Sequence, residues 1–325
     1  MKHLMILIVS LTSCSFAQYT YTIERTGAAH QAGESNHVSI SVLDASDHTL
    51  YSIEKDIPFD VPFPTVHINR QTGTVVLCYG FDGFADFYNS TGQQLWSVNF
   101  FKGEEPDYER TLACSVGKES IIFLISDEQK PKAILLQYTM DGARRWERTL
   151  ACKTGYTLAM SPDEQVIGTS CYESVGNAVI NKTELVDGDG KGIATIDLLF
   201  RKASFSQDSR NVVFISKNEV AGYSLNTHQV STIKSVEPAS DTIFTDVLYD
   251  GNDWIIQSAL AGISSRGTIQ FTSPLFTTVN TSFAIEAQKR FDGLIYTASA
   301  LVQDENGVHF TYDGVDRIIA PPIKQ

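Results

Sequence analysis

The nine residues Tyr-Asn-Ser-Thr-Gly-Gln-Gln-Leu-Trp at positions 88–96 place an apolar residue, here Tyr88, four positions before a glycine and another, Trp96, four positions after it. The same frame recurs at Tyr138/Gly142/Trp146 and at Ile263/Gly267/Phe271. Weaker copies at Leu43, Val186, Tyr223 and Phe310 bring the total to seven, and successive copies begin 37 to 50 residues apart. Repeats of this length that are built from short strands predict a β-propeller.

Each frame is typical of a β-hairpin, because turn residues such as Asn89 and Gly92 separate two alternating strands. A second strand pair precedes most frames, for example at residues 65–78, 156–168, 203–214, 242–256 and 283–296. Two hairpins per repeat predict a four-stranded blade. Residues 18–325 number 308, which gives 44 residues for each of seven blades. We therefore predict a single all-β propeller domain over residues 18–325, with seven four-stranded blades and six as the alternative. Residues 19–25 are the candidate strand for closing the ring against the last blade.

The composition excludes some classes of partner. The net charge is -13, and an acidic surface repels both phosphate backbones and anionic membranes. Nucleic acid is therefore not an expected partner. No apolar run beyond the first residues is long enough to span a membrane.

The first 17 residues have the features of a signal peptide. Lys2 precedes an apolar run, and Ser15-Phe16-Ala17 has small residues at the positions that a signal peptidase reads. Cleavage after Ala17 would release a secreted or periplasmic protein. Leu-Thr-Ser-Cys at residues 11–14 supports an alternative, a bacterial lipoprotein that is lipidated at Cys14.

Four cysteines follow the leader: Cys78, Cys114, Cys152 and Cys171. None forms a CxxC pair, so spacing along the chain does not indicate a zinc site or a redox motif. Export permits disulfides, whereas free cysteines are usually small buried core residues. The sequence leaves both interpretations open, together with the pairing.

The frame at residues 88–96 resembles the blade motif of quinoprotein-like propellers, and Asp141-Gly142 before Trp146 is a second match. Ser161-Pro162-Asp163 and Ser206-Gln207-Asp208 are similar to the inner turns of WD40-like and TolB-like propellers. The resemblance implies structural roles for four frame residues: Trp96, Trp146, Gly92 and Gly142. It also implies that a quinone-dependent enzyme would carry adjacent cysteines, which this chain lacks, so we expect no cofactor.

Candidates for chemistry are few. Asp187 and Asp189 alternate in a glycine-rich segment and form a weak calcium candidate, but Lys191 occupies the next ligand position. No two histidines have the spacing of a metal site, and no sequence motif of a catalytic nucleophile occurs. Asp246 and Glu286, assigned to inner strands, are the candidate acids for a polysaccharide hydrolase or lyase.

The connection at residues 100–110 mixes aromatic residues, acids and an arginine, which is typical of a recognition surface. The residues predicted to bind a partner are Phe101, Glu104, Glu105, Tyr108, Arg110 and, in a comparable loop, Tyr156. The leading hypothesis is an exported, non-catalytic bacterial propeller that binds a protein or a glycan through its inter-blade loops. The alternatives are a propeller-type polysaccharide hydrolase or lyase, and a lipid-anchored scaffold for outer-membrane assembly. The last of these resembles a known quinoprotein-like lipoprotein.

Overall fold

The structure is a computed structural model that describes residues 19–320, apart from residues 27–30, 32, 45, 106, 109, 128–129, 238–239, 266 and 305. The described residues form 27 β-strands in seven antiparallel sheets, which we call blades 1 to 7 in chain order. The predicted signal peptide and Cys14 lie outside the described residues. Within those residues, no helix is long and apolar enough to cross a membrane.

The strands of the first four blades follow the chain without crossovers. Blade 1 contains β1 (Thr20–Thr26), β2 (Ser35–Leu43) and β3 (Thr49–Pro58). Blade 2 contains β4 (Thr65–Ile68), β5 (Val75–Tyr79), β6 (Phe84–Tyr88) and β7 (Gln94–Asn99). Blade 3 contains β8 (Thr111–Val116), β9 (Ser120–Ser126), β10 (Ile134–Thr139) and β11 (Arg144–Thr149). Blade 4 contains β12 (Thr154–Met160), β13 (Val166–Val175), β14 (Ala178–Asp187) and β15 (Gly192–Ile196).

The remaining blades continue in the same order. Blade 5 contains β16 (Lys202–Phe205), β17 (Asn211–Ile215), β18 (Glu219–Ser224) and β19 (Gln229–Ser235). Blade 6 contains β20 (Thr242–Tyr249), β21 (Trp254–Ile263), β22 (Ile269–Val279) and β23 (Ile285–Arg290), and β24 (Ile295–Tyr296) also pairs with β22. Blade 7 contains β25 (Ser299–Asp304), β26 (Gly307–Tyr312) and β27 (Val315–Ala320).

The core lies between neighbouring blades rather than at one centre. Six clusters of buried apolar side chains fill the interfaces from blade 1–blade 2 to blade 6–blade 7. Strands in the middle of a blade are therefore buried on both faces, as in β9, whereas the outermost strands β7 and β11 alternate between exposed and half-buried residues. The first strands β4, β8, β12, β16, β20 and β25 neighbour one another in that order. The predicted all-β propeller is confirmed, with seven sheets.

Aromatic side chains of the predicted frame join adjacent blades. The Trp96 ring lies over Gly142 of the next blade, and its Nε1 donates to the Met140 carbonyl at 2.9 Å. Trp146 lies over Gly190 in the same way, and its Nε1 donates to the Gly188 carbonyl at 2.9 Å. These glycines have φ of 88° and 79°, so each lies in a tight turn that favours glycine. Because glycine has no side chain, the aromatic ring can pack directly against the turn. One blade back, Tyr51 covers Gly92.

Two sequence predictions for blade 6 differ from the structure. The Ile263 frame spans the second and third strands of blade 6, not its outer hairpin. The outer turn is at Asn280, whose Oδ1 accepts from the backbone of Ser282 and Ala284. β23 is consequently the outer strand of blade 6, whereas residues 283–296 were expected to form an inner hairpin. Repeat spacing places a hairpin in the chain but does not identify its position within a blade.

The two ends of the ring also differ from expectation. Blades 1 and 7 have three strands each in the described residues, instead of four, and β1 pairs with β2 rather than with the last blade. Next to β1, the backbone N–H of Tyr19 donates to the carbonyl of Arg70 in the β4–β5 turn of blade 2, at 3.1 Å. Within the described residues, no strand pairing and no apolar cluster joins blade 7 to blade 1.

Candidate functional site

One end of the ring carries the connections between blades and the turns between second and third strands. These two sets of loops share an end because antiparallel strands reverse direction at every turn. We call this end the loop face. Turns between first and second strands, and between third and fourth strands, lie at the opposite end.

Two hairpins of the loop face are longer than their neighbours. In blade 4, residues 173–182 extend past the pairing of β13 with β12 and of β14 with β15. In blade 6, residues 261–270 extend in the same way past β20 and β24. We call these segments the blade 4 tip and the blade 6 tip. Blade 5, which lies between them, turns within four residues, from Ser216 to Glu219.

Apolar side chains project from both tips. Val175, Val179 and Ile180 are exposed on the blade 4 tip. On the blade 6 tip, 78% of Ile263 and 60% of Ile269 are exposed. Ile263 lies directly opposite Ile269 in the β21–β22 ladder, so the exposed parts of these two side chains form one apolar patch on the tip.

A groove of about 860 Å³ lies between blades 4 and 5, at the foot of the blade 4 tip. Its floor is fixed by backbone hydrogen bonds from Val236 to Asn218, at 2.9 Å, and from Phe244 to Lys217, at 3.0 Å. Tyr156 stands at its edge because a β-bulge in β12 leaves this residue unpaired, with Gly155 opposite Cys171 and Thr157 opposite Ser170.

The lining of the groove is polar and of mixed charge. Arg201 and Lys217 are exposed there, as are Asp197 and Glu237. Lys182 of the blade 4 tip forms an ion pair with Asp197. This volume and lining suit a short polar segment of a larger ligand.

The predicted binding loop at residues 100–110 divides into buried and exposed members. Phe101 and Arg110 are buried, at 2% and 8% exposure. Arg110 Nε donates to Asp127 at 2.9 Å, and the guanidinium lies 4.3 Å from the centre of the Phe101 ring. In this position these two side chains hold the loop and do not reach its surface.

The other members of that loop are exposed on the loop face. Glu104 and Glu105 are exposed, and Glu104 is also within 3.5 Å of Arg110. Tyr108 is exposed, although its hydroxyl donates to the Asp60 carbonyl at 2.8 Å. The predicted residues therefore form two groups. One lies at the blade 2–blade 3 connection, and Tyr156 lies at the groove between blades 4 and 5.

The calcium candidate lies in the outer turn of blade 4. Asp187 Oδ1 accepts from the backbone N–H groups of Asp189 and Lys191, at 3.0 and 2.8 Å. Asp189 is within 3.5 Å of the Lys191 ammonium. The Asp187 carboxylate thus stabilises its own turn, as Asp-Gly turns do.

The two candidate acids are on different strands. Asp246 is buried on the innermost strand of blade 6, where it contacts Lys202 at 2.9 Å and accepts from the Leu301 backbone at 3.1 Å. Glu286 lies on the outermost strand, β23, and not on an inner strand as expected. Three strand spacings of about 4.8 Å separate them, which is more than a pair of glycosidase carboxylates allows.

The cysteines form one disulfide and one buried thiol pair. Cys152 and Cys171 are disulfide-bonded with their Cα atoms 5.6 Å apart. Cys78 and Cys114 are free and buried, and together with His67 they place three ligand atoms within 4.8 Å of one another. The disulfide interpretation thus holds for Cys152 and Cys171, and the buried-thiol interpretation holds for Cys78 and Cys114.

The surroundings of the two thiols shift their pKa values in opposite directions. Burial opposes ionisation of Cys78, but hydrogen bonds with Cys114 and His67 lower the pKa of Cys78 to about 6. Burial and then Cys78 itself raise the pKa of Cys114. The spacing of the three residues along the chain conceals this cluster, because they lie on β4, β5 and β8.

No protein-family model matches this chain, and no curated protein matches it in sequence. Solved structures do. The C-terminal WD40 domain of Sif2 aligns with a TM-score of 0.57 and 11% identity, over 90% of this chain and 80% of that one. The Dos1 propeller aligns at 0.56 and 10% identity, over 87% and 73%. Kuenenia stuttgartiensis hydrazine synthase aligns at 0.56 and 9% identity, over 90% and 94%. At these identities the likeness concerns the fold alone, which is that of a β-propeller.

Proposed function

We propose that this chain is an exported binding module that engages a protein partner across its loop face. The observation that carries the proposal is the exposure of aliphatic side chains at the blade 4 and blade 6 tips. Both tips rise from the same end of the ring, and the polar groove opens beside one of them. An apolar contact flanked by a polar, charged rim is the usual arrangement of a protein interface.

The chemistry of the tips favours a protein over the other partners. Burial of isoleucine and valine against an apolar surface stabilises a complex, by about 1.5 to 3 kcal/mol for a fully buried side chain. A phosphate backbone offers no such surface, and the net charge of -13 repels it.

Site-specific photo-crosslinking tests this proposal. A photoreactive amino acid at Val179 or Ile263 should capture the same partner, whereas one at Asp189, an exposed residue at the opposite end of blade 4, should not. The double substitution Val179→Ser/Ile263→Ser should weaken binding of the captured protein by about 10-fold or more. Identical capture from all three positions, or full affinity in the double variant, would refute a protein site at the tips.

A glycan is the second candidate ligand, and one observation favours it. Tyr156 presents an exposed ring at the edge of a polar groove, and aromatic rings stack on the apolar faces of sugars. Tyr156→Ala should then abolish retention on the bound polysaccharide in affinity electrophoresis, whereas Tyr108→Ala should not. If both variants are retained equally, the groove is not a glycan site.

Export is also part of the proposal. The leader sequence supports it, and so does the Cys152–Cys171 disulfide, because such bonds persist in oxidising compartments. Intact mass spectrometry of the native protein distinguishes two products: a chain that begins at Gln18 is secreted or periplasmic, and a chain that begins at an acylated Cys14 is a lipid-anchored scaffold. A chain that retains Met1 would refute export.

A further inference from the structure

We propose that His67, Cys78 and Cys114 bind one zinc ion at the interface between blades 2 and 3. The three residues come from two blades: β4 and β5 carry the histidine and the first cysteine, and β8 carries the second cysteine. Their ligand atoms lie within 4.8 Å of one another. Ligand atoms around a tetrahedral zinc ion lie about 3.5 to 3.8 Å apart, so small side-chain rotations are enough to close the site.

The sheet pairing places the ligands on one face. Cys78 lies directly opposite Thr65 in the β4–β5 ladder, and His67 is two residues further along β4. Side chains two positions apart on a strand share a face, so His67 and Cys78 both point toward blade 3. Cys114 meets them from β8. Because all three ligands lie on paired strands, the site is held by the ladder hydrogen bonds of two blades.

Charge favours zinc in this environment. The surroundings are apolar, with Val76, Leu112 and Phe123 among the buried side chains of the same cluster. Two thiolates, a neutral imidazole and Zn²⁺ form a complex with no net charge, which is the least costly ionic group to bury there. A monovalent copper ion on the same ligands would leave a net negative charge.

The site has a supporting contact and an access route. The Thr65 hydroxyl lies 3.3 Å from His67 Nε2 and restricts rotation of the ring, as hydrogen-bond partners of zinc-binding histidines do. His67 is only half-buried, so an ion can reach it from the side of the ring lined by the first strands. Three protein ligands leave a fourth position for water or an external ligand.

Cobalt substitution tests the proposal in the full-length protein. Co²⁺ added to metal-free protein should give one equivalent of tetrahedral d–d bands with thiolate charge-transfer absorption, and Zn²⁺ should displace it. Cys114→Ala should remove most of the charge-transfer band, and His67→Ala should abolish tight binding. His48→Ala, at an exposed histidine of blade 1, should change neither. Thr65→Val keeps all three ligands and should weaken binding by about 10- to 100-fold.

Stability measurements and mass spectrometry complete the test. Zinc should raise the melting temperature of the wild-type protein and not that of His67→Ala, because a ligand stabilises only the state that binds it. The proposal is overturned if folded wild-type protein with both thiols reduced gives no thiolate–cobalt band. It is equally overturned if peptide mapping of the native protein finds Cys78 and Cys114 joined in a disulfide.

Discussion

The contact of Trp146 with Gly190 shows how one residue fixes the distance between two blades. A Cβ at Gly190 would lie 2.8 Å from the indole, and φ at this position is 79°. Gly314 has the same φ of 79° and open space around it. Both Gly→Ala substitutions incur the left-handed backbone cost of about 1–2 kcal/mol. Gly190→Ala should destabilise the protein by about 1–3 kcal/mol more, because the ring must shift. Urea denaturation measures the difference, and equal losses would show that the indole adapts.

Arg110 should contribute to stability far more than exposed arginines do. Its side chain and that of Asp127 are almost fully buried, so Arg110→Ala leaves a buried carboxylate without its closest cation. We expect a loss of about 3 to 5 kcal/mol in the free energy of unfolding. The control Arg144→Ala removes the exposed ion pair with Glu147 and should cost about 0 to 1 kcal/mol. Similar losses for both would mean that Arg110 does not hold the loop.

His37 provides a titration that can be followed at a single residue. The His37 ring donates a hydrogen bond to the Asp56 carboxylate at 2.9 Å, which raises the pKa of His37 above its ordinary value, and Glu54 adds to the effect. The resulting stabilisation is complete below the unfolded-state pKa and is lost as the pH rises through the folded-state pKa. Asp56→Asn should therefore lower the His37 pKa in an NMR titration. Asp189→Asn should not change it, and an unchanged value in Asp56→Asn would exclude the proposed cause.

Residue patterns describe the geometry of one hairpin better than they describe contacts between hairpins. The spacing of Trp96 and Gly92 within one hairpin was visible in the sequence, because a turn fixes local geometry. Phe101 and Arg110 were placed at the surface because a connection rich in charge and aromatic residues resembles an interface. Their burial depends on Asp127 from another hairpin, which no local pattern contains. For the same reason, the chain gave no sign that His67, Cys78 and Cys114 lie together.

Among the elements, the Cys152 connection and β13 are joined covalently. The disulfide spans 19 residues and ties the blade 3–blade 4 connection to the second strand of blade 4. Replacing both cysteines with alanine should lower the free energy of unfolding by about 2 to 4 kcal/mol, mainly by freeing the unfolded chain. A mild reductant should lower the melting temperature of the wild-type protein toward that of the variant. If the reductant lowers the melting temperature of the variant by the same amount, it acts on a group other than this disulfide.

Hairpin order within a blade is the part of the fold that repeat spacing could not predict. Ile263, Gly267 and Phe271 match the frame of the outer hairpins, and the turn at Gly267 does form. It forms between longer strands, so the same pattern becomes the blade 6 tip. The signal that distinguishes the two cases is strand length, 10 and 11 residues for β21 and β22 against 5 and 6 for β6 and β7.

For the whole molecule, protection from hydrogen exchange should follow position in the ring. All residues of β9 are buried, and blade 3 has an apolar interface on each side. The described side chains of β1 are exposed, and β1 pairs on one edge only within the described part of the chain. Exchange followed by mass spectrometry should find β9 peptides slowest and β1 peptides among the fastest. Uniform protection of both would instead indicate a ring that opens as one unit.

The polar character of the outer faces of blades 1 and 7 has a mechanical consequence. The face of blade 1 that is turned away from blade 2 carries His37, Ser39 and Glu54, and the corresponding face of blade 7 carries His309 between Asp304 and Asp316. A load that separates blade 7 from blade 1 would act on polar surfaces, which water solvates when they part, whereas the other interfaces must expose apolar clusters. Each blade is held mainly by its neighbours, so the blades would detach one after another from the ends of the ring. The force would then fall in a series of small steps.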